Sequence, residues 1–170
     1  INIIIPKRKS ETTEIDVLLV CSKGLFVFES KNYSGWIFGN EAHQNWTQTL
    51  PKGRGRSHKE RFYNPIMQNA AHVRHLKNLI GHNVPMHSII VFSDRCTLKD
   101  ITLKSTDVSV IHRYEAAHTI AAICNQVQTE IYTEAQISDI YNRLYPHTQM
   151  GLEIKKRHIE NIRKNNWAGK

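Results

Sequence analysis

The chain has 170 residues, a formal net charge of +8 and a hydrophobic share of 40%. That length accommodates one domain with a real core, and the basic balance favours a polyanionic partner, most simply nucleic acid. No apolar run approaches the length of a membrane span, and the opening Ile1-Asn2-Ile3-Ile4-Ile5 is too short and wrongly flanked for a signal peptide.

Three cysteines, Cys21, Cys96 and Cys124, are widely spaced and form no C-x-x-C pair. Neither a zinc ribbon nor a disulfide framework is indicated. A sparse, odd count suits a reducing compartment, and a cytoplasmic location is the expectation. The chain opens on Ile rather than Met, so further residues upstream are also expected.

In chain order, residues 1–5 are β-branched and stop at Pro6, which predicts a strand, and residues 7–13 form a polar connector. Residues 14–20 and 25–31 predict an antiparallel hairpin joined by Cys21-Ser22-Lys23-Gly24. Side chains alternate along a strand, so Leu25, Val27, Glu29 and Lys31 share one face, and Phe26, Phe28 and Ser30 the other. With Val20 opposite Leu25, Asp16 faces Glu29. With a turn two residues tighter, Asp16 faces Lys31. Either register gathers Asp16, Glu29 and Lys31 on one face, whereas a one-residue slip separates Asp16 from the other two. Two acids and a lysine at the end of an apolar strand are costly unless paired, solvated or bound to a metal. The bland reading is a cross-strand ion pair of little energetic weight.

Asn32-Tyr33-Ser34-Gly35 is turn chemistry. Short strands at 36–38 and 43–49 continue the antiparallel meander, with Trp36 and Phe38 packed on the sheet. Residues 51–63 carry Lys52, Arg54, Arg56, His58, Lys59 and Arg61 against Glu60 alone, spaced by Gly53 and Gly55. This reads as a flexible cationic loop in which Lys52, Arg54, Arg56, Lys59 and Arg61 grip phosphates while Trp46, Phe62 or Tyr63 offer faces to bases.

Asn64-Pro65 opens a helix, with Asn as cap and Pro at the first helical position. Ile66, Ala70, Val73, Leu76 or Lys77, and Ile80 follow helical spacing, and Gly81 ends the helix. Gln68, His72 and His75 fall on a neighbouring stripe, and both histidines are expected at the surface or satisfied rather than ligating. Residues 87–93 and 108–112 predict buried strands, with 94–107 irregular between them. Helices are predicted at 115–128, at 133–145 with Pro146 as a stop, and at 152–165. The last carries a basic stripe, Lys155-Lys156-Arg157 and Arg163-Lys164, read as a solvated face. Strands first, then a helix, a strand pair and helices make a mixed α/β domain.

Three segments taken together carry a resemblance: Glu14-Ile15-Asp16, then Gly24-Leu25-Phe26-Val27-Phe28-Glu29-Ser30-Lys31-Asn32-Tyr33-Ser34-Gly35, then Asn64-Pro65-Ile66-Met67-Gln68-Asn69. The chain resembles the nuclease-related domain family (NERD), a branch of the PD-(D/E)xK restriction-endonuclease-like superfamily, over residues 1–93. Residues 94–170 are then the strand and helical C-terminal part of one nuclease-like domain, residues 1–170. The resemblance implies a restriction-endonuclease-like fold, a central mixed β-sheet with an antiparallel meander, flanked by helices. It implies a metal-dependent nuclease acting on phosphodiester bonds, of DNA more than RNA, with Mg²⁺ as cofactor and Mn²⁺ as substitute.

Carried over residue by residue, Asp16 and Glu29 supply metal-binding carboxylates and the Ser30 carbonyl a third ligand. Lys31 orients water or neutralises charge, and Gln68 reaches in from the helix. The superfamily's leading helix, with a further acid, would precede this chain's first residue, and neither Glu11 nor Glu14 is assigned that role. The alternative is a catalytically incomplete module on the same fold that binds nucleic acid or a protein partner, including a second copy through the C-terminal helices.

Overall fold

A computed structural model describes residues 1–6, 12–82, 84–149, 156, 159 and 160. Strand β1 (Ile3–Pro6) pairs antiparallel with β2 (Thr12–Ile15). The chain bends at Asp16, runs on as β3 (Val17–Cys21) and turns through Ser22-Lys23 into β4 (Gly24–Lys31). Strands β5 (Gly35–Asn40), β6 (Asn45–Lys52) and β7 (Arg56–Tyr63) form an antiparallel meander. Helix α1 (Pro65–Ile80) returns the chain to β8 (Met86–Phe92), which lies parallel to β4. Strand β9 (Cys96–Thr102) adds in parallel to β5, and β10 (Val108–His112) in parallel to β8. A 3-10 turn, Arg113–Glu115, leads into α2 (Ala116–Gln126), and α3 (Glu134–Thr148) follows. The result is a mixed α/β architecture with two four-stranded sheets, ordered β10-β8-β4-β3 and β7-β6-β5-β9, beside the β1-β2 ladder.

Alternation along β4 organises the layers. Leu25 and Val27 point to one face, where they pack with Ile3, Ile15 and Leu18, with Leu76 and Ile80 of α1, and with Ile140 and Leu144 of α3. Phe26 and Phe28 point to the other, with Ile89, against Ile120 and Ile123 of α2. Helices therefore cover both faces of the first sheet. The second sheet turns Ile37 and Trp46 inward onto Ile66, Ile90 and Phe92, and Trp46 stacks flat on Phe92.

The hairpin register is the one with Val20 opposite Leu25. Other elements depart from expectation. The strand expected at 14–20 is two strands, because the chain bends at Asp16 and changes partner from β1 to β4. The Asn2 side chain holds that bend, donating to the Ile15 and Asp16 carbonyls at 3.0 and 3.3 Å. The segment 51–63 is not a loop: most of it is the β6–β7 hairpin, paired without interruption from Asn45↔Tyr63 to Lys52↔Arg56. Its tip is three residues, with Arg54 and Gly55 at positive φ. Almost every side chain of β7 is exposed, so no in–out alternation marks it as a strand.

Residues 94–107 contain β9, whose register shifts opposite Ile37/Phe38 and so breaks its alternation. Helix α3 runs through Pro146. That proline sits in the last turn, where its missing N–H removes only one bond. Trp36 is 42% exposed, under Lys99, rather than packed on a sheet. The basic stripe at Lys155, Arg157, Arg163 and Lys164, like Glu11, lies outside the described residues. All three cysteines are free thiols, and Cys21 and Cys124 meet across β3 and α2. Among the described residues, no helix is long and apolar enough to cross a membrane.

Gly35 starts β5 four residues after Lys31, at φ +74°, and a Cβ there would collide with the Thr49 carbonyl. Gly35→Ala should cost about 1–3 kcal/mol from the backbone conformation alone, with more from the collision. Urea denaturation measures it, and an unchanged midpoint would contradict this account.

Candidate active site

Strand β4 ends in Glu29-Ser30-Lys31. Glu29 continues the face of Leu25 and Val27, so its carboxylate points at α1 and is only 3% exposed. A buried carboxylate needs partners, and it has two. Lys31 Nζ donates to Oε1 at 2.6 Å, and His72 Nε2 lies 3.1 Å from Oε2. An ionised carboxylate only accepts, so Nε2 carries the hydrogen. Nδ1 then meets the Thr13 hydroxyl of β2 at 2.8 Å. Lys31 also donates to Gln68 Oε1 at 2.9 Å. One turn of α1 thus reaches both charged residues of β4, from Gln68 and from His72.

Helix α1 is aimed by polar contacts. Asn64 caps it through Ile66 N–H and donates to the carbonyls of Asn40, Glu41 and His43. Asn69 Nδ2 donates to the Val27 carbonyl of β4 and to Ser88 Oγ of β8, both at 2.8 Å. The buried line of the helix is therefore Ile66, Asn69, His72, Leu76 and Ile80. Ala70, expected inside, is exposed. The strands meet both ring nitrogens of His72 and the Nδ2 of Asn69, while Asn69 Oδ1 is buried without a hydrogen-bond partner.

Asp16 enters from the bend. Pairing of β3 with β4 ends at Val17↔Phe28. Two residues on, the Ser30 N–H faces the same neighbour and donates to Asp16 Oδ2 at 2.8 Å instead of to a ladder carbonyl. Backbone N–H and C=O of one residue point the same way in an antiparallel ladder, so the Ser30 carbonyl shares that edge. Asp16 Oδ1 has no hydrogen-bond partner among the described residues.

Burial raises the Asp16 carboxyl above its ordinary value, and the nearby charge of Glu29 adds to this, against the lowering effects of the Ser30 N–H and Lys31. Burial also pushes Glu29 up, but the His72 hydrogen bond, the Lys31 charge and the Lys31 hydrogen bond outweigh it, and the net shift is downward. Two carboxyls side by side are thus driven in opposite directions.

The geometry brings Asp16, Glu29, Ser30, Lys31 and Gln68 to one place. It adds Thr13, which the sequence reading did not single out, and His72, expected at the surface or satisfied and found buried and satisfied by Glu29 and Thr13. The available signal was Gln68 and His72 four apart on one helical face, next to an apolar stripe that is weak. Lys52, Arg54, Arg56, Lys59 and Arg61 lie apart, exposed on the β6–β7 hairpin. Trp46 and Phe62 are packed inward there, leaving Tyr63 as the exposed aromatic, at 50%. Tyr33 links the two regions: it packs on Phe62, and its hydroxyl lies within electrostatic reach of Glu60 and Glu29.

As to a divalent cation, the donor set fits one of the hard, oxygen-preferring kind. Asp16 offers a free carboxylate oxygen beside the Ser30 carbonyl, and Mg²⁺ needs only one or two protein carboxylates. Each Glu29 oxygen accepts one hydrogen bond and keeps a further lone pair, so Glu29 can join without releasing Lys31 or His72. No cluster of three or more His, Cys, Asp or Glu arranged to hold a metal occurs among the described residues.

Opposite stability effects follow. A lowered carboxyl contributes stability that is present above its ordinary pKa and lost as pH falls through the folded value. Glu29→Gln should flatten the acid limb of the stability curve below about pH 5. A raised carboxyl favours the fold only while protonated, so charged Asp16 weakens the fold at neutral pH. Asp16→Asn, which keeps an acceptor for Ser30, should raise the denaturation midpoint. Urea titrations at about pH 4 and pH 7 measure both, and a lowered midpoint for Asp16→Asn at neutral pH would refute the second.

The sequence profile of the family described as nuclease-related domain matches residues 1–93, from β1 to the residue after β8. An uncharacterised protein of Bacillus anthracis is 29% identical over 164 residues, covering 94% of this chain and 71% of that protein. No solved structure matches. With more than half of its length matched, including every residue gathered around Glu29, the chain belongs to the nuclease-related domain family.

Proposed function

We propose that this chain is a metal-dependent nuclease that hydrolyses phosphodiester bonds, of DNA in preference to RNA. The observation that carries the reading is the pairing of a half-buried Asp16, one oxygen unengaged, with a Glu29–Lys31 couple anchored on α1. The family supports it in general terms, and the net charge of +8 suits a polyanionic substrate. We read β10-β8-β4-β3 with α1 as the restriction-endonuclease-like core of the family's superfamily.

In this reading Asp16 and the Ser30 carbonyl would hold Mg²⁺, or Mn²⁺ in its place, with Glu29 as a further carboxylate. A cation there supplies Lewis acidity toward water and phosphate oxygen. Lys31 stands where it can orient the attacking water or offset charge gathering on phosphate oxygens. Gln68 accepts a second hydrogen bond from the Lys31 ammonium, alongside Glu29. His72 is a positioning residue: it acts through Glu29, with Thr13 behind it.

The second reading is a catalytically incomplete module that binds nucleic acid or a protein. It is favoured by the engagement of both Glu29 oxygens by protein partners. Titration calorimetry with Mn²⁺ separates the two, because an enzyme should bind the cation in a manner lost in Asp16→Ala.

The direct test incubates the protein with plasmid and with linear single-stranded DNA, in Mg²⁺ and in chelator. Cleavage should require Mg²⁺. Asp16→Ala and Lys31→Ala should each reduce it at least a hundredfold, the scale of losing one electrostatic or acid–base contributor, with unchanged circular dichroism. Full cleavage by both variants would rule out the assignment.

A further inference from the structure

A cleft of ≈ 490 Å³ opens beside the site, lined by Ser30, Lys31, Asn32, Ser93, Arg95 and Arg113 among others. It lies at the carboxyl ends of the parallel strands β4 and β8, where open α/β sheets place their ligands. The Ser93 N–H donates to the Lys31 carbonyl at 2.9 Å, so the segment after β8 is docked against the end of β4.

The two arginines of this cleft are held differently. Arg113 is spent on a wall contact: its Nη2 lies 2.6 Å from Asp94 Oδ2, and its Nε donates to the same oxygen. Arg95 is held by neutral acceptors instead. Its Nη2 donates to Asn32 Oδ1 at 2.7 Å, and its Nε to Ser93 Oγ at 3.4 Å. Those contacts fix its direction and leave its charge uncompensated, since no carboxylate pairs with it among the described residues. A planar guanidinium, pre-aimed and unneutralised, is suited to two oxygens of a phosphate. Neutral positioning matters here, because a carboxylate in the place of Asn32 would cancel the attraction.

We propose that Arg95 is a phosphate-binding residue that takes non-bridging oxygens of a phosphodiester neighbouring the one at Asp16 and Lys31, with Asn32 as its positioning residue. This rests on the nuclease reading for the identity of the neighbouring phosphate. Arg95 and Arg113 lie beyond the family match, which ends at residue 93, so the C-terminal half supplies part of the substrate path. The Asp94–Arg113 pair also lines the cleft.

The test measures binding of fluorescein-labelled single-stranded and duplex DNA by anisotropy across a salt series, in chelator, alongside Mg²⁺-dependent cleavage. Arg95→Ala should weaken binding roughly tenfold and reduce the salt slope by about one, with KM raised and kcat little changed. Arg95→Lys should keep the slope and lose part of the affinity. Asn32→Ala should lose less affinity with the slope intact, an outcome that simple loss of charge does not produce. Binding, slope and KM all unchanged in Arg95→Ala overturn the proposal, as does a wild-type protein that binds neither DNA. If nothing cleaves but Arg95→Ala still lowers the slope, the phosphate site stands and the nuclease reading fails. If cleavage is Mg²⁺-dependent and Arg95→Ala behaves as wild type, the reverse holds.

Discussion

A carboxylate buried at the end of a strand is the constraint on which this structure turns. Glu29 is almost wholly removed from water, and an isolated charge in that position would be prohibitively expensive. It is tolerated because one oxygen meets Lys31 and the other His72. Those two contacts dictate much else. They require α1 to cross β4 with Gln68 and His72 facing the sheet, which Asn64 and Asn69 enforce by gripping backbone before the contact and within it. They also require β2 to lie close enough for Thr13 to close the chain of hydrogen bonds. Such a network is weak evidence for stability, since an apolar substitute of the same shape often does as well. Its retention makes better sense as a device for holding one ammonium and one carboxylate at fixed places.

Asp16 is governed by the opposite logic. Where β3 stops pairing, the strand edge leaves the Ser30 amide exposed, and the bend delivers the Asp16 carboxylate to it. That carboxylate is half-buried beside another acid, and its charged form is disfavoured. The protein thus sets a carboxylate with both oxygens engaged next to one with a single oxygen engaged among the described residues. The first organises the site and the second is left with unmet attraction for positive charge, the asymmetry expected of groups with distinct tasks.

How legible this was depended on burial. Only the parity of the β3–β4 pairing could be read, since two turn lengths gather Asp16, Glu29 and Lys31 on one face; Leu25, Phe26, Val27 and Phe28 are buried on both faces and show no alternation that would choose between the two. Helix α1 was marked by Asn64-Pro65 and Gly81, residues whose backbone roles are specific. Strands β7 and β9 were not legible. The first is solvated on both faces, and the second carries a bulge, so neither shows the pattern that identifies a strand. The bend at Asp16 depends on Asn2, a residue with no local signature. For His72 a satisfied role was legible but its partner Glu29 was not, because a histidine on a helix carries no sign of what lies across from it. Polar residues in a core are recognisable only once their partners are known.

The division of the chain has a consequence of its own. The family match stops one residue after β8, yet that strand is flanked on its far side by β10, and the aromatic face of β4 rests on α2. Cutting the gene at that boundary would bare a sheet edge ready to pair with another chain. It would also strip Ile140 and Leu144 from the opposite layer. The stretch that the family profile matches is therefore smaller than the stretch whose side chains complete both layers of this sheet.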